Sequence, residues 1–261
     1  MHKNILFITI DGLRADKLYG KFKTSKTPFL DSLIEKGTYF EQCISCADGT
    51  TLALNSTFSG LFPFRTGTRA KEVQISDVNY IHILKNNGFH IYGMVPDLTA
   101  LARLRFNFEN NVKSFKGTPP EIEHLDEGTG EKILNLFEND KMKEPWFCYL
   151  HPLDLHDPLN VPKEFDDEIY GSSKYEKVVS SIDNWIKKIV DKVNLENTVV
   201  IITADHGAII PEGGLEFSDF EPDFKRELEL GKKIMPKSTH IFGAKIISGL
   251  SNKIRDKKLE K

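Results

Sequence analysis

Two apolar runs in this 261-residue chain end in groups able to hold a cation. Ile5-Leu6-Phe7-Ile8-Thr9-Ile10 leads into Asp11-Gly12, and Val199-Val200-Ile201-Ile202 leads through Thr203-Ala204 into Asp205-His206-Gly207. Hard carboxylates with one imidazole suit zinc, manganese or a similar divalent ion, whose charge polarises phosphate or sulfate oxygens. Taken alone, Asp205-His206-Gly207 serves equally well as a turn, with glycine at positive φ and aspartate in an Asx turn. Its pairing with Asp11 is what points to a metal site. A third run, Trp146-Phe147-Cys148-Tyr149-Leu150, ends among His151, Asp154 and His156, which adds possible ligands, proton donors or substrate contacts.

Near-continuous apolar runs of this length are the mark of parallel strands buried on both faces, and open α/β sheets collect ligand chemistry at their carboxyl ends. Strands are expected over 3–10, 39–45, 89–95 and 146–150, with a fifth leading into Asp205. Helices are expected between them. Thr27-Pro28 opens one, Leu30, Leu33 and Ile34 share its face, and Gly37 stops it. Others fall at 52–59, 77–87 and 131–137. The clearest covers 174–193, where Val178, Ile182, Trp185, Ile186, Ile189, Val190 and Val193 recur at helical period. Alternation of strand and helix predicts an α/β fold with a central, mostly parallel sheet.

Bulk composition narrows the partners. A formal net charge of −3 gives no electrostatic case for nucleic acid, and 39% hydrophobic with 28% charged residues suits a single globular domain over 1–261. No apolar stretch approaches the roughly 20 residues of a membrane span, and no signal peptide is visible. Three cysteines are too few for a disulfide framework, so the expected compartment is the cytoplasm. Cys43 and Cys46 lack a second pair for a zinc site and are expected to be buried thiols. Residues 208–239 are charged and loop-rich, and 250–261 is expected to be a solvated or frayed tail.

The pieces and their order resemble the sulfatase branch of the alkaline phosphatase superfamily. The resemblance rests on Asp11-Gly12 with Arg14, Thr27-Pro28-Phe29-Leu30-Asp31, Phe58-Ser59-Gly60-Leu61-Phe62-Pro63-Phe64-Arg65-Thr66-Gly67, His151 to Pro158, and Thr203 to Gly207. It implies a three-layer α/β sandwich, either compact or lacking most of the family's smaller C-terminal subdomain. It also implies one divalent metal ion (zinc, manganese, calcium or magnesium, the first two preferred), with Asp11, Asp205 and His206 as ligands. Family spacing puts the nucleophile ten residues before Gly60, at Thr50, which would also touch the metal; Thr51 is the alternative if the match slips by one.

Here the chain departs from the sulfatases proper, which convert a cysteine or serine to formylglycine in a Cys-x-Pro-x-Arg-like context. Thr50 is followed by Thr51-Leu52-Ala53-Leu54, without the proline or arginine. Threonine nucleophiles belong to phosphoryl-transferring relatives, so the resemblance implies cleavage of a phosphate ester or diester through a phosphothreonine. The substrate would be a small-molecule, glycan-linked or lipid-linked anionic ester. Expected substrate contacts are His156, His240, His151, Asp154 and Arg14. A sulfatase, and a non-catalytic binding protein of the same fold, are the alternatives. Without the family spacing, Thr50 would be only a helix N-cap.

Overall fold

The computed structural model describes residues 2–69, 73, 79–110, 114–118, 121–138 and 142–210. Four strands make one sheet: β1 (Asn4–Ile10), β2 (His90–Met94), β3 (Trp146–Leu150) and β4 (Thr198–Ala204). All pair in parallel in the order β2-β3-β1-β4, which puts β1 in the interior. The pairs Ile10↔Ala204 and Ile8↔Leu150 set the register. Asp11 and Asp205 each follow the last paired residue of neighbouring strands, so they leave the sheet side by side.

Alternation along the strands divides the core into two faces. Ile5 and Phe7 of β1 share one face with Phe147, Tyr149 and Ile91, and the Phe7 ring meets Phe147 and Tyr149 edge-on. Helix α1 spans Pro28–Lys36, and α2 (Thr50–Ser59) and α3 (Tyr80–Asn86) follow it. Leu54 and Phe58 of α2 and Ile81 of α3 join the same buried cluster as Phe147 and Tyr149. Leu6, Ile8, Cys148 and Leu150 point the other way and are equally inaccessible. Each large apolar side chain buried this way contributes about 1.5–3 kcal/mol, and β2, β3 and β1 are covered on both sides as a layered α/β fold requires.

Two further helices complete the frame, α4 (Thr129–Leu134) and α5 (Lys174–Val190). The Ser173 hydroxyl caps α5 by accepting the Glu176 amide, and Val178, Ile182, Trp185, Ile186 and Ile189 form its buried stripe. α5 positions its neighbours by polar contacts as well. Asp183 accepts the Phe29 and Leu30 amides at 3.1 and 2.7 Å, capping α1 from outside. The Tyr175 hydroxyl donates to the Gly12 carbonyl at 2.7 Å and accepts the Arg14 amide at 2.8 Å, fixing the loop after β1. Against α4 the fit is close, because a Cβ on Gly130 would overlap the Trp185 ring. Gly130→Ala is therefore expected to destabilise by about 1–3 kcal/mol, measurable as a lower denaturant midpoint with an unchanged slope.

Several sequence expectations need correction. Residues 39–45 form no strand: Phe40 and Ile44 are exposed and four apart, Glu41-Gln42 intervenes, and both long edges of β1 are already taken. With no strand to bury them, Cys43 is exposed and Cys46 half-buried; Cys148 alone is a buried thiol. β4 is not buried on both faces, since Val199 and Ile201 are 44% and 41% exposed on what is the outer strand among the described residues. α2 begins two residues earlier than expected, at Thr50, and Gly60 ends it with φ of 69°. The expected helices at 77–87, 131–137 and 174–193 appear as 80–86, 129–134 and 174–190.

Met1–Ala208 forms one compact unit. The tail 250–261, His240 and most of 208–239 lie outside the described residues. No helix among the described residues is long and apolar enough to cross a membrane.

Candidate functional site

The carboxyl edge of the sheet brings four chain segments together. Asp11 follows β1, His151 follows β3, Asp205-His206 follow β4, and Thr50 is the first residue of α2. Gly49, not Thr50, is the N-cap, and no side chain caps the helix. The Thr50 hydroxyl is therefore released from capping duty, and the first-turn amides with the helix dipole favour an anion beside it.

Distances define a tight cluster. Thr50 Oγ1 donates to Asp11 Oδ2 at 3.0 Å and lies 3.1 Å from His206 Nε2. His151 Nε2 is 3.3 Å from the same Asp11 oxygen, and its Nδ1 is 2.9 Å from the Tyr149 hydroxyl. Asp205 Oδ1 accepts the amides of Gly12 and His206 at 3.2 and 2.9 Å. Its second oxygen, Oδ2, is buried without a hydrogen-bond partner and lies 3.5 Å from His206 Nε2. His206 Nδ1 donates to the Gly207 carbonyl at 2.7 Å, so Nε2 presents its lone pair to the cluster.

The electrostatics call for positive charge. Asp11 and Asp205 are both 3% exposed. Burial pushes the Asp11 carboxyl up, but the His151 hydrogen bond and charge, the His206 charge and the Thr50 hydroxyl together hold it below its ordinary value. Asp205 moves the other way, raised by burial and by the neighbouring Asp11 charge against the pull of His151 and His206. Two buried carboxylates that cannot comfortably ionise together, one with an orphaned oxygen, are what a bound cation relieves. Asp11, His151 and Asp205 each bring a donor atom within 4.8 Å of the other two, so the donor set fits a divalent metal.

The residues singled out from sequence divide into three groups. Asp11, Asp205, His206 and Thr50 are brought together at the carboxyl edge of the sheet. His151, expected as a substrate contact, stands among the possible metal donors. Arg14 lies at the rim with its stem against Gly207, but Asp16 engages its guanidinium through Nε at 2.8 Å and Nη2 at 2.9 Å. His156 is exposed and donates from Nδ1 to the Asp157 carbonyl at 2.9 Å. Asp154 is turned into the protein, where it accepts the Leu125 amide at 2.9 Å. Tyr149 and Asp16 were not anticipated. Tyr149 stands two residues before His151 on the same strand face, a spacing that carries the signal but looks like ordinary core.

The sulfatase family profile matches residues 3–233. An uncharacterized protein of Haemophilus influenzae is 26% identical over 217 residues, covering 81% of this chain; the chain spans about a third of that relative's length, at 33%. The fold is shared with an alkaline phosphatase superfamily protein from Vibrio parahaemolyticus, with a TM-score of 0.60, 21% identity and coverage of 82% of this chain and 57% of that one. It is also shared with a phosphonate monoester hydrolase from Silicibacter pomeroyi, at a TM-score of 0.59, 15% identity and coverage of 79% and 63%. Members of this superfamily are hydrolases or phosphotransferases acting on sulfate or phosphate esters and bind a divalent metal. With a family match across most of its length and a central parallel sheet of the same kind, the chain belongs to the sulfatase family.

Proposed function

We propose that this protein is a metal-dependent hydrolase or transferase of phosphate esters or diesters that works through a covalent phosphothreonine on Thr50. The observation that carries the reading is the Thr50 hydroxyl at the N-terminus of α2, 3.0 Å from Asp11 Oδ2 and 3.1 Å from His206 Nε2. A threonine hydroxyl is a weak nucleophile at its free pKa and needs a neighbouring base or a metal. Here the hydroxyl proton has two acceptors within hydrogen-bond reach.

Asp11, Asp205, His206 and either Thr50 or His151 would hold the metal. Bound there, a divalent ion would supply Lewis-acid charge to the ester oxygens and lower the hydroxyl pKa. The remaining work belongs to the chain. As Thr50 Oγ1 forms its bond to phosphorus, the ester P–O bond breaks and the leaving alcohol takes a proton. Water or an acceptor alcohol then breaks the Thr50 O–P bond. The first-turn amides of α2 would donate to the equatorial oxygens, where negative charge grows. Protonated on both ring nitrogens, His156 would be the candidate proton donor to the alkoxide, worth roughly 10²–10⁴ in rate.

Threonine cannot become formylglycine, which argues for phosphorus over sulfur. The phosphonate monoester hydrolase among the fold relatives is a protein that acts on phosphorus. The family's own name keeps a sulfate ester as the rival. Parallel assays on an aryl phosphate, an aryl phosphodiester and an aryl sulfate separate the two, with turnover expected on a phosphate substrate. Acid quench during turnover followed by peptide mass spectrometry should show one phosphoryl group on Thr50. Turnover of the sulfate alone would overturn the phosphoryl reading.

A further inference from the structure

The candidate nucleophile follows a stretch of chain with no regular structure. Residues 40–49 contribute neither strand nor helix, Phe40 and Ile44 are 73% and 85% exposed, and Thr50 comes next, behind the N-cap Gly49. A reacting group has to be held to within about 0.5 Å of its productive position. The backbone ladder that the expected strand at 39–45 would have supplied is not there to do it.

One side chain takes over that task. Ser45 Oγ donates to the Asp205 carbonyl at 2.5 Å, between residues 160 apart in the chain. Among the described residues it is the only hydrogen bond that joins 40–49 to the sheet or to the turn after β4. The hydroxyl proton has a second carbonyl in reach, that of Ala47 at 2.8 Å, and the Ala47 amide points back to Oγ at 3.4 Å. The nearer acceptor is Asp205.

That carbonyl belongs to the peptide unit between Asp205 and His206. The N–H of the same unit donates to Asp205 Oδ1 at 2.9 Å, and His206 Nε2 stands 3.1 Å from Thr50 Oγ1. Segments 45–50 and 205–206 are thus joined at both ends, by Ser45 to the Asp205 carbonyl and by Thr50 to the His206 ring. The Thr50 end changes when its hydroxyl reacts. The Ser45 end takes no part in the proposed chemistry, so it can hold the two segments together while the other end works.

We propose that Ser45 is a positioning residue, which grips the peptide unit between two candidate metal ligands and so sets where Thr50 Oγ1 stands relative to Asp11 and His206. The bond itself rests on the geometry; its effect on turnover rests on the function proposed above. Losing it leaves the attacking group in the site but lets it drift, and a 1 Å misplacement can cost on the order of 10²-fold in rate. Ser45→Ala removes the donor, and Ser45→Thr keeps it. Ser45 is exposed, so the alanine variant should lose no more than about 4 °C in melting temperature, the worth of one net hydrogen bond in a chain of this size.

Two readings test the proposal. In Ser45→Ala the amide ¹⁵N shift of His206, which reports the bond, and that of Thr50, which reports its reach, should both move, and in Ser45→Thr both should return toward wild type. On a phosphate ester that the wild type turns over, kcat should fall about 10- to 10²-fold in Ser45→Ala with KM changed less than about twofold, and Ser45→Thr should recover most of the loss. An unmoved His206 amide would show that the hydroxyl serves Ala47 alone and would overturn the bond. An unmoved Thr50 amide, an unchanged kcat, or a loss that Ser45→Thr does not recover would overturn the positioning role. Absence of turnover by the wild type would count against the proposed function, while the two amide shifts would still decide the bond and its reach to Thr50.

Discussion

Thr50→Ala is expected to remove turnover, with a loss on the order of 10⁴–10⁶ in kcat, and to leave the melting temperature nearly unchanged. The size follows from deleting the attacking atom, since activation by Asp11 or His206 has nothing left to act on. The fold should tolerate the change because the residue is only half-buried and its hydroxyl does not cap α2; Gly49 holds that position. Alanine is also the best helix former, so the backbone has no reason to rearrange. Thr51→Ala is the control for a one-residue slip in the family match and should keep most of the activity. Full activity in Thr50→Ala, or loss confined to Thr51→Ala, would sink the assignment.

Divalent metal should stabilise the protein strongly, and Asp205→Asn should erase the effect. Asp205 offers an oxygen that is buried without a partner, close to a second carboxylate, so a cation there relieves both desolvation and like-charge repulsion. At about 100 times its dissociation constant, a ligand specific for the folded state adds about 2.7 kcal/mol. In a chain of this size that is roughly 5–10 °C in melting temperature. The measurement is a melting series in zinc or manganese against chelator, for wild type and Asp205→Asn. Asn keeps the hydrogen bonds to the Gly12 and His206 amides through its oxygen but lacks the charge. An equal metal shift in the variant would show that the ion binds elsewhere.

How much of this was legible in the sequence depends on how local the signal is. The central strand β1, β3, α1 and α5 follow from periodicity, a proline start and a glycine stop, all of which act within a few residues. Asp11 and Asp205-His206 could be paired because apolar strands announce their own ends. What failed was long-range. Nothing local tells residues 39–45 that both edges of β1 are occupied, or tells β4 that its outer face meets solvent. His151 and Asp154 stand three residues apart in the same polar run, and only packing separates them: one joins Asp11, the other accepts the Leu125 amide. Tyr149 was concealed for the opposite reason, since a buried tyrosine in a strand looks like core until its hydroxyl is seen on His151.

The pairing of β1 with β4 has a consequence for when the site exists. Gly12 and Asp205, joined by a hydrogen bond across the site, are 193 residues apart. A nascent chain that has emerged only as far as α5 can close the β2-β3-β1 sheet and bury its aromatic cluster, yet it lacks half of the cation ligands. Such distant contacts form late and open early, and β4 is held by a single described neighbour. On gentle heating, metal affinity and turnover should therefore disappear before the far-ultraviolet signal does, which makes catalytic competence a report on one strand's docking.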